Sequence, residues 1–163
     1  MDFSVTQSLH APVASVLEVY ADPGFFTTLE PSEGLSTPEL VEHRRHGDTV
    51  ELSLRFHYVG DIPAAARRFV DRDRLSWVEH TSLSLATARS TSTITPDNYP
   101  KLLSSRAVAA FDAHGGGTSR TVRGRVTVRV PVVAGRVEQV IVDGISDYLA
   151  EEATFANRRL GQG

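Results

Sequence analysis

The stretch TVRGRVTVRVPVVAGRVEQVIVDGISDYLAEEATFANRRL, residues 121–160, holds two periodicities joined at one proline. Before Pro131, the residues Val122, Gly124, Val126, Val128 and Val130 alternate with Thr121, Arg123, Arg125, Thr127 and Arg129. A repeat of two marks a strand with one dry and one wet face, and it sets these arginines in solvent. Beyond Pro131 the repeat becomes helical. Val137, Ile141, Gly144, Ile145, Tyr148, Phe155 and Ala156 fall on one stripe over 135–160. A helix of that span is about 39 Å long. Arg158 and Arg159 in its last turn suit its negative end. A one-faced strand feeding a long amphipathic helix indicates an α+β protein in which the helix covers a sheet.

The rest of the chain supplies that sheet. Phe3, Val5 and Leu9 alternate over 2–10, a half-buried strand. Pro12 opens a short helix carrying Val13, Val16, Leu17 and Tyr20, and Asp22-Pro23 opens a second with Phe25, Phe26 and Leu29. A strand is expected over 38–46, with a turn at Gly47-Asp48. In the next strand Val50, Leu52, Leu54, Phe56 and Tyr58 alternate with Glu51, Ser53, Arg55 and His57. Asp61–Val70 reads as a short helical insertion, with Asp61 near the cap and Pro63 in the first turn. From 74 to 130 the chain is β-rich: Leu75, Trp77, Leu83 and Leu85 share one parity, a Ser/Thr-rich strand spans 86–95, and another spans 103–113. No linker, repeat or low-complexity tract divides the chain. The expectation is one domain over 1–163: a curved antiparallel sheet of about seven strands wrapped around the C-terminal helix, with two short helices after the first strand.

Composition narrows the function. The 163 residues include no Cys, which excludes disulfides, thiol catalysis and Cys-ligated zinc. A net charge of −3 argues against a nucleic-acid partner. Nearly all basic residues are Arg, Lys101 being the only Lys, a bias read as GC-rich bacterial coding. No basic and apolar leader opens the sequence, and no apolar run is long enough to span a membrane. A cytoplasmic location is therefore expected.

Two motifs carry a resemblance. Ala11-Pro12-Val13 through Ala21-Asp22-Pro23-Gly24-Phe25 resembles the strand-to-helix entry of the START-like (helix-grip, SRPBCC) superfamily. Val128-Arg129-Val130-Pro131 through Gly135-Arg136-Val137-Glu138, followed by Leu149, Glu152, Phe155 and Leu160, is similar to the C-terminal pattern of a bacterial branch of unknown function. Arg158-Arg159-Leu160 stands where that pattern ends in Trp. The resemblance spans essentially the whole chain. It implies the helix-grip fold, shared by birch-pollen-allergen-like proteins, lipid-transfer domains, polyketide cyclases/aromatases and heat-shock ATPase activators. It carries no catalytic residue to these positions.

The candidate ligand-binding residues are Leu54, Phe56, Tyr58 and Trp77 from the sheet, with Ile141, Gly144, Ile145 and Tyr148 from the helix. Plain core packing would place the same apolar positions inward. Two features favour a cavity: Gly144 in mid-helix costs about 1 kcal/mol relative to Ala, and Tyr58, Trp77 and Tyr148 bring polar atoms that need partners. His43 and His46, three apart on a strand, point to opposite faces, so no metal site is expected. Glu51 lies on a wet parity, Asp71 and Asp73 are interleaved with arginines, and either Glu151 or Glu152 could face inward. The expected partner is a hydrophobic small molecule, lipid- or polyketide-like, with no cofactor and no assigned catalytic residue. Two alternatives stand beside it. One is a cyclase/aromatase-like enzyme using an inward Glu152, His80 or Tyr148; the other is an interaction module of the chaperone-activator kind. Assembly as a homodimer is left open.

Overall fold

The alternating segments fold into one continuous antiparallel sheet. In a computed structural model that describes residues 1–162, the chain runs β1 (Asp2–Leu9), α1 (Val13–Ala21), α2 (Pro23–Thr27), β2 (Glu39–His46), β3 (Thr49–His57), β4 (Ser76–Ser84), β5 (Arg89–Pro96), β6 (Leu103–His114), β7 (Gly117–Val128) and α3 (Ala134–Gly161). The seven strands are ordered β1-β7-β6-β5-β4-β3-β2. This is the helix-grip arrangement that the residue pattern and the resemblance both predict.

Local chemistry sets the boundaries. Asp22 caps α2 by accepting the Gly24 N–H at 2.9 Å, and Pro23 fills the first turn, where its missing donor costs nothing. Gly47 and Gly115-Gly116 take positive φ in the β2–β3 and β6–β7 turns. The segment Asp61–Val70 departs from the predicted helix. It forms successive turns, with bonds from Ala66 N–H to Pro63 O and from Phe69 N–H to Ala66 O. Three-residue spacing closes the loop without propagating an α-helix, because too few turns share a buried face to repay nucleation.

The inner face carries the core. Leu9, Val16, Tyr20, Phe25, Phe111 and Val122 belong to a cluster under α1 and α2, and Ala156 brings the last turns of α3 onto it. A smaller cluster of Val126, Val128 and Val130 receives Val137, Ile141 and Ile145 from the start of α3. Arg123, Arg125 and Arg129 are exposed, as the alternation predicts.

Helix α3 is pinned near its two ends. Toward its start, Glu138 accepts the Val128 N–H at 2.9 Å. Toward its end, the Asn157 side chain accepts the His10 N–H at 2.8 Å and donates to Ser8 O at 3.0 Å. Gln7 donates to the Leu149 carbonyl, and Arg159 pairs with Asp22, the cap of α2. Arg159 thus ties the helix terminus down where the family pattern would have used Trp.

Gly124 marks a tight approach in the sheet. A Cβ there would lie 2.5 Å from Phe3 Cζ and 2.6 Å from the Arg106 carbonyl oxygen. Gly124→Ala is expected to lower stability by about 1–3 kcal/mol, measured by urea unfolding; an unchanged midpoint would mean that Phe3 and β6 yield freely.

Candidate functional site

Between the two pinned ends, α3 does not close onto the sheet. The space left is a cavity of about 950 Å³, near the top of the range of small-molecule sites. β3, β4, β5 and β6 form its floor, α3 its roof, and the segments around Gly34, Asp61 and Tyr99 line it beyond the strand ends. Tyr20 and Phe26 of the α1–α2 pair line it as well.

All eight residues singled out from the sequence lie on its wall. Leu54 and Phe56 come from β3, Trp77 from β4, and Ile141, Gly144, Ile145 and Tyr148 from α3. Tyr58 follows β3 in a bridge to Leu35, and its hydroxyl donates to the Asp61 carbonyl at 2.8 Å. Phe56 stacks on Trp77 with ring centroids 6.0 Å apart and meets Tyr148 edge-on at 5.7 Å. Gly144 lines the cavity at an exposed position, and a Cβ on it would meet nothing within 4 Å, so no bulky neighbour requires the glycine.

The cavity also holds charge. Arg120 projects from β7 onto the inner face and pairs with Glu152 at 2.5 Å, the two side chains being 12% and 4% exposed. The same Nη1 donates to Gln7 Oε1 at 2.8 Å, and the guanidinium lies 4.4 Å from the Tyr20 ring centroid. Arg120 Nε and the hydroxyls of Tyr20 and Tyr148 are buried without a hydrogen-bond partner among the described residues. Glu79 stands on the β4 floor between Trp77 and Thr81, accepts the Thr81 hydroxyl at 3.2 Å and forms no ion pair among the described residues. Burial pushes its carboxyl above the usual carboxylate range; the Glu152 charge adds to this, while the Thr81 hydroxyl and Arg120 act against it. Burial, then the charges of Glu152 and Glu79, likewise raise the Tyr148 hydroxyl.

Of the inward acids weighed from sequence, Glu152 is buried and Glu151 is exposed. His80 lies on the outer face, bonded to Ser53 Oγ at 2.9 Å and Thr95 Oγ1 at 3.1 Å, so it cannot act in the cavity. No group of three or more potential metal ligands gathers among the described residues. No described helix is long and apolar enough to cross a membrane. Arg120 and Glu79 were missed in the sequence, yet both lie on inward parities: Arg120 two before Val122, Glu79 two after Trp77.

Two outcomes follow from this geometry. Arg120→Met leaves Glu152 buried and unpaired, so a loss of about 3–5 kcal/mol is expected. Adding Glu152→Met should recover part of it; a double-variant loss equal to the sum of the Arg120→Met and Glu152→Met losses would show the pair is uncoupled. For Glu79, a raised carboxyl binds its proton more tightly folded than unfolded. Its stabilisation is complete below the ordinary carboxylate value and is lost as pH rises through the raised one. Glu79→Gln should therefore melt higher than wild type at about pH 8 and converge with it near about pH 4; parallel melting curves at both would contradict this.

No match is found among curated protein sequences. Solved structures share the fold at low identity. The Zhui aromatase/cyclase from Streptomyces sp. R1128 superposes with a TM-score of 0.69 at 13% identity, covering 99% of this chain and 94% of that one. TTHA0849 from Thermus thermophilus gives 0.65 at 14% identity, covering 98% and 97%. Ara h 8.0201 gives 0.59 at 12%, covering 100% and 99%. These likenesses establish the START-like fold. A family model described as "Protein of unknown function (DUF2505)" matches residues 4–160, and the chain belongs to that family.

Proposed function

We propose that the protein binds or carries a hydrophobic small molecule, lipid- or polyketide-like, in the cavity between sheet and α3. The observation that carries this reading is the size and lining of the cavity: about 950 Å³, walled by Leu54, Phe56, Trp77, Ile141 and Ile145. Removing apolar ligand surface from water contributes about 25 cal/mol per Å², reduced by the cost of immobilising the ligand. The eight wall residues named above are proposed to contact the ligand, with the Tyr148 hydroxyl as a polar point of orientation.

Catalysis of the cyclase/aromatase kind in the same cavity is the second reading. Glu79 favours it: a carboxyl that burial makes hold its proton more tightly than usual, beside an apolar space, is suited to general acid–base work. Exposed large apolar side chains are spread over β2, β6, α3 and two loops, which lends the interaction-module reading little support.

The binding reading is tested with Nile red, a neutral dye whose emission shifts in apolar surroundings, and by native mass spectrometry of the protein from its own host. Saturable dye binding is expected, weakened at least about tenfold by Gly144→Leu, which adds a side chain at the cavity wall while removing the helix penalty of glycine. A folded protein that leaves Nile red emission unchanged would remove the proposal.

A further inference from the structure

The charges on the cavity wall are lopsided. Its acids are Glu33, Asp61, Asp143, Asp147 and Glu151, with Glu79 and Glu152 deeper in the fold. Arg120 is the single basic residue on the wall among the described residues, and it is already bound to Glu152 and Gln7. The first five acids are exposed, so a ligand carboxylate or phosphate meets screened negative charge at the rim, and deeper in it finds no free cation among the described residues to pair with. In a space of low polarity that mismatch is costly. The cavity is thus poorly suited to a fatty acid or a phospholipid headgroup.

Glu79 is the wall acid placed to receive a charge of the opposite sign. Directly across the ladders it is paired with Leu54 and Ile94, and aromatic residues stand one inward pair further along β3 and β4. Trp77 shares its face of β4 two residues away, and Phe56 is paired with Trp77 across the β3–β4 ladder. Tyr148 approaches Phe56 edge-on from α3, and the charge of Glu79 acts on its hydroxyl. Carboxylate plus aromatic faces is the donor set that recognises an ammonium, through an ion pair and through attraction to the ring faces. An alkylammonium has three N–H donors and no acceptor. Besides Glu79, the partnerless oxygens of Tyr148 and of Tyr20 line the same cavity, Tyr20 being 5% exposed.

We propose that the ligand carries a basic amine, held as an ammonium by the Glu79 carboxylate among Phe56, Trp77 and Tyr148, with its hydrocarbon part along the apolar wall. This rests on the cavity-binding reading and narrows its ligand class to hydrophobic amines. The protons balance in each route of entry. From protonated Glu79, a free base takes the proton onto its nitrogen and an ammonium displaces it to solvent; from ionised Glu79, an ammonium pairs directly. All end in the same ion pair.

The test is displacement of Nile red from the full chain by decylamine, decanol and decanoate, which share one chain length and differ in the head. Decylamine is expected to compete at least about tenfold better than decanol, with decanoate weakest. In Glu79→Gln the amine should fall to within about threefold of the alcohol, while decanol keeps its wild-type value within about twofold. Any proton release that calorimetry of decylamine binding detects, in two buffers of different ionisation heat, should be lost in Glu79→Gln. Decanoate competing as well as decylamine, or an amine-to-alcohol ratio unmoved by Glu79→Gln, overturns the amine assignment and leaves the binding reading standing. Failure of Nile red itself to bind removes both.

Discussion

A single helix is narrower than the sheet it must cover. Seven strands spaced about 4.8 Å apart make an arc of about 29 Å, whereas a helix with its side chains is about 10–12 Å across. The inner face of the sheet carries apolar side chains on β1, β3, β4, β6 and β7 that must be shielded from water. α1 and α2 cover one end and receive the last turns of α3. The start of α3 covers the Val126–Val130 corner. What remains between these two contacts is apolar wall with no side chain long enough to fill it. The cavity is the geometric remainder of the fold.

The hollow persists because α3 is held from its ends. Glu138 on Val128 and the Asn157 bonds to β1 and the residue after it fix the span of the helix over the floor. Arg120 and Glu152 add a buried pair that locks the C-terminal half of α3 to β7. Such pairs contribute little net stability but specify one arrangement strongly, since each charge is costly without the other. Gly144 sits at mid-span on the cavity wall, at an exposed position where a Cβ would meet no neighbour. Polar groups that the fold leaves unsatisfied, namely Arg120 Nε and the Tyr20 and Tyr148 hydroxyls, collect on this same wall. Buried donors and acceptors without partners are rare in folded proteins.

Much of this was legible from particular residues. The Val122–Val130 alternation, the proline stop and the 135–160 stripe defined strand and helix to within a few residues of β7 and α3. The parity of Leu54, Phe56 and Trp77 gave their inward direction, because a strand's side-chain repeat admits two faces only. Glu152 also lies on the helical stripe, seven after Ile145 and four before Ala156, and Arg120 continues the inward parity of β7. These two charges were passed over or weighed lightly because charge is ordinarily an indicator of the wet face. The segment 61–70 misled for a different reason: a cap residue and a proline mark where a helix can start, and only a buried face decides whether it continues.

The sequence by itself determined the order of the strands and of the helices outside 61–70, the two faces of the strands that begin at Asp2, Thr49, Ser76 and Gly117, and the presence of one long helix, because these follow from local periodicity and turn chemistry. It did not determine that sheet and helix stand apart, that Arg120 meets Glu152 across 32 residues, or that Glu79 faces the hollow without an ion-pair partner among the described residues. Those depend on distances between elements far apart in the chain. Such distances are set by sheet curvature and by the contacts that pin α3 near its ends, and no local pattern encodes them.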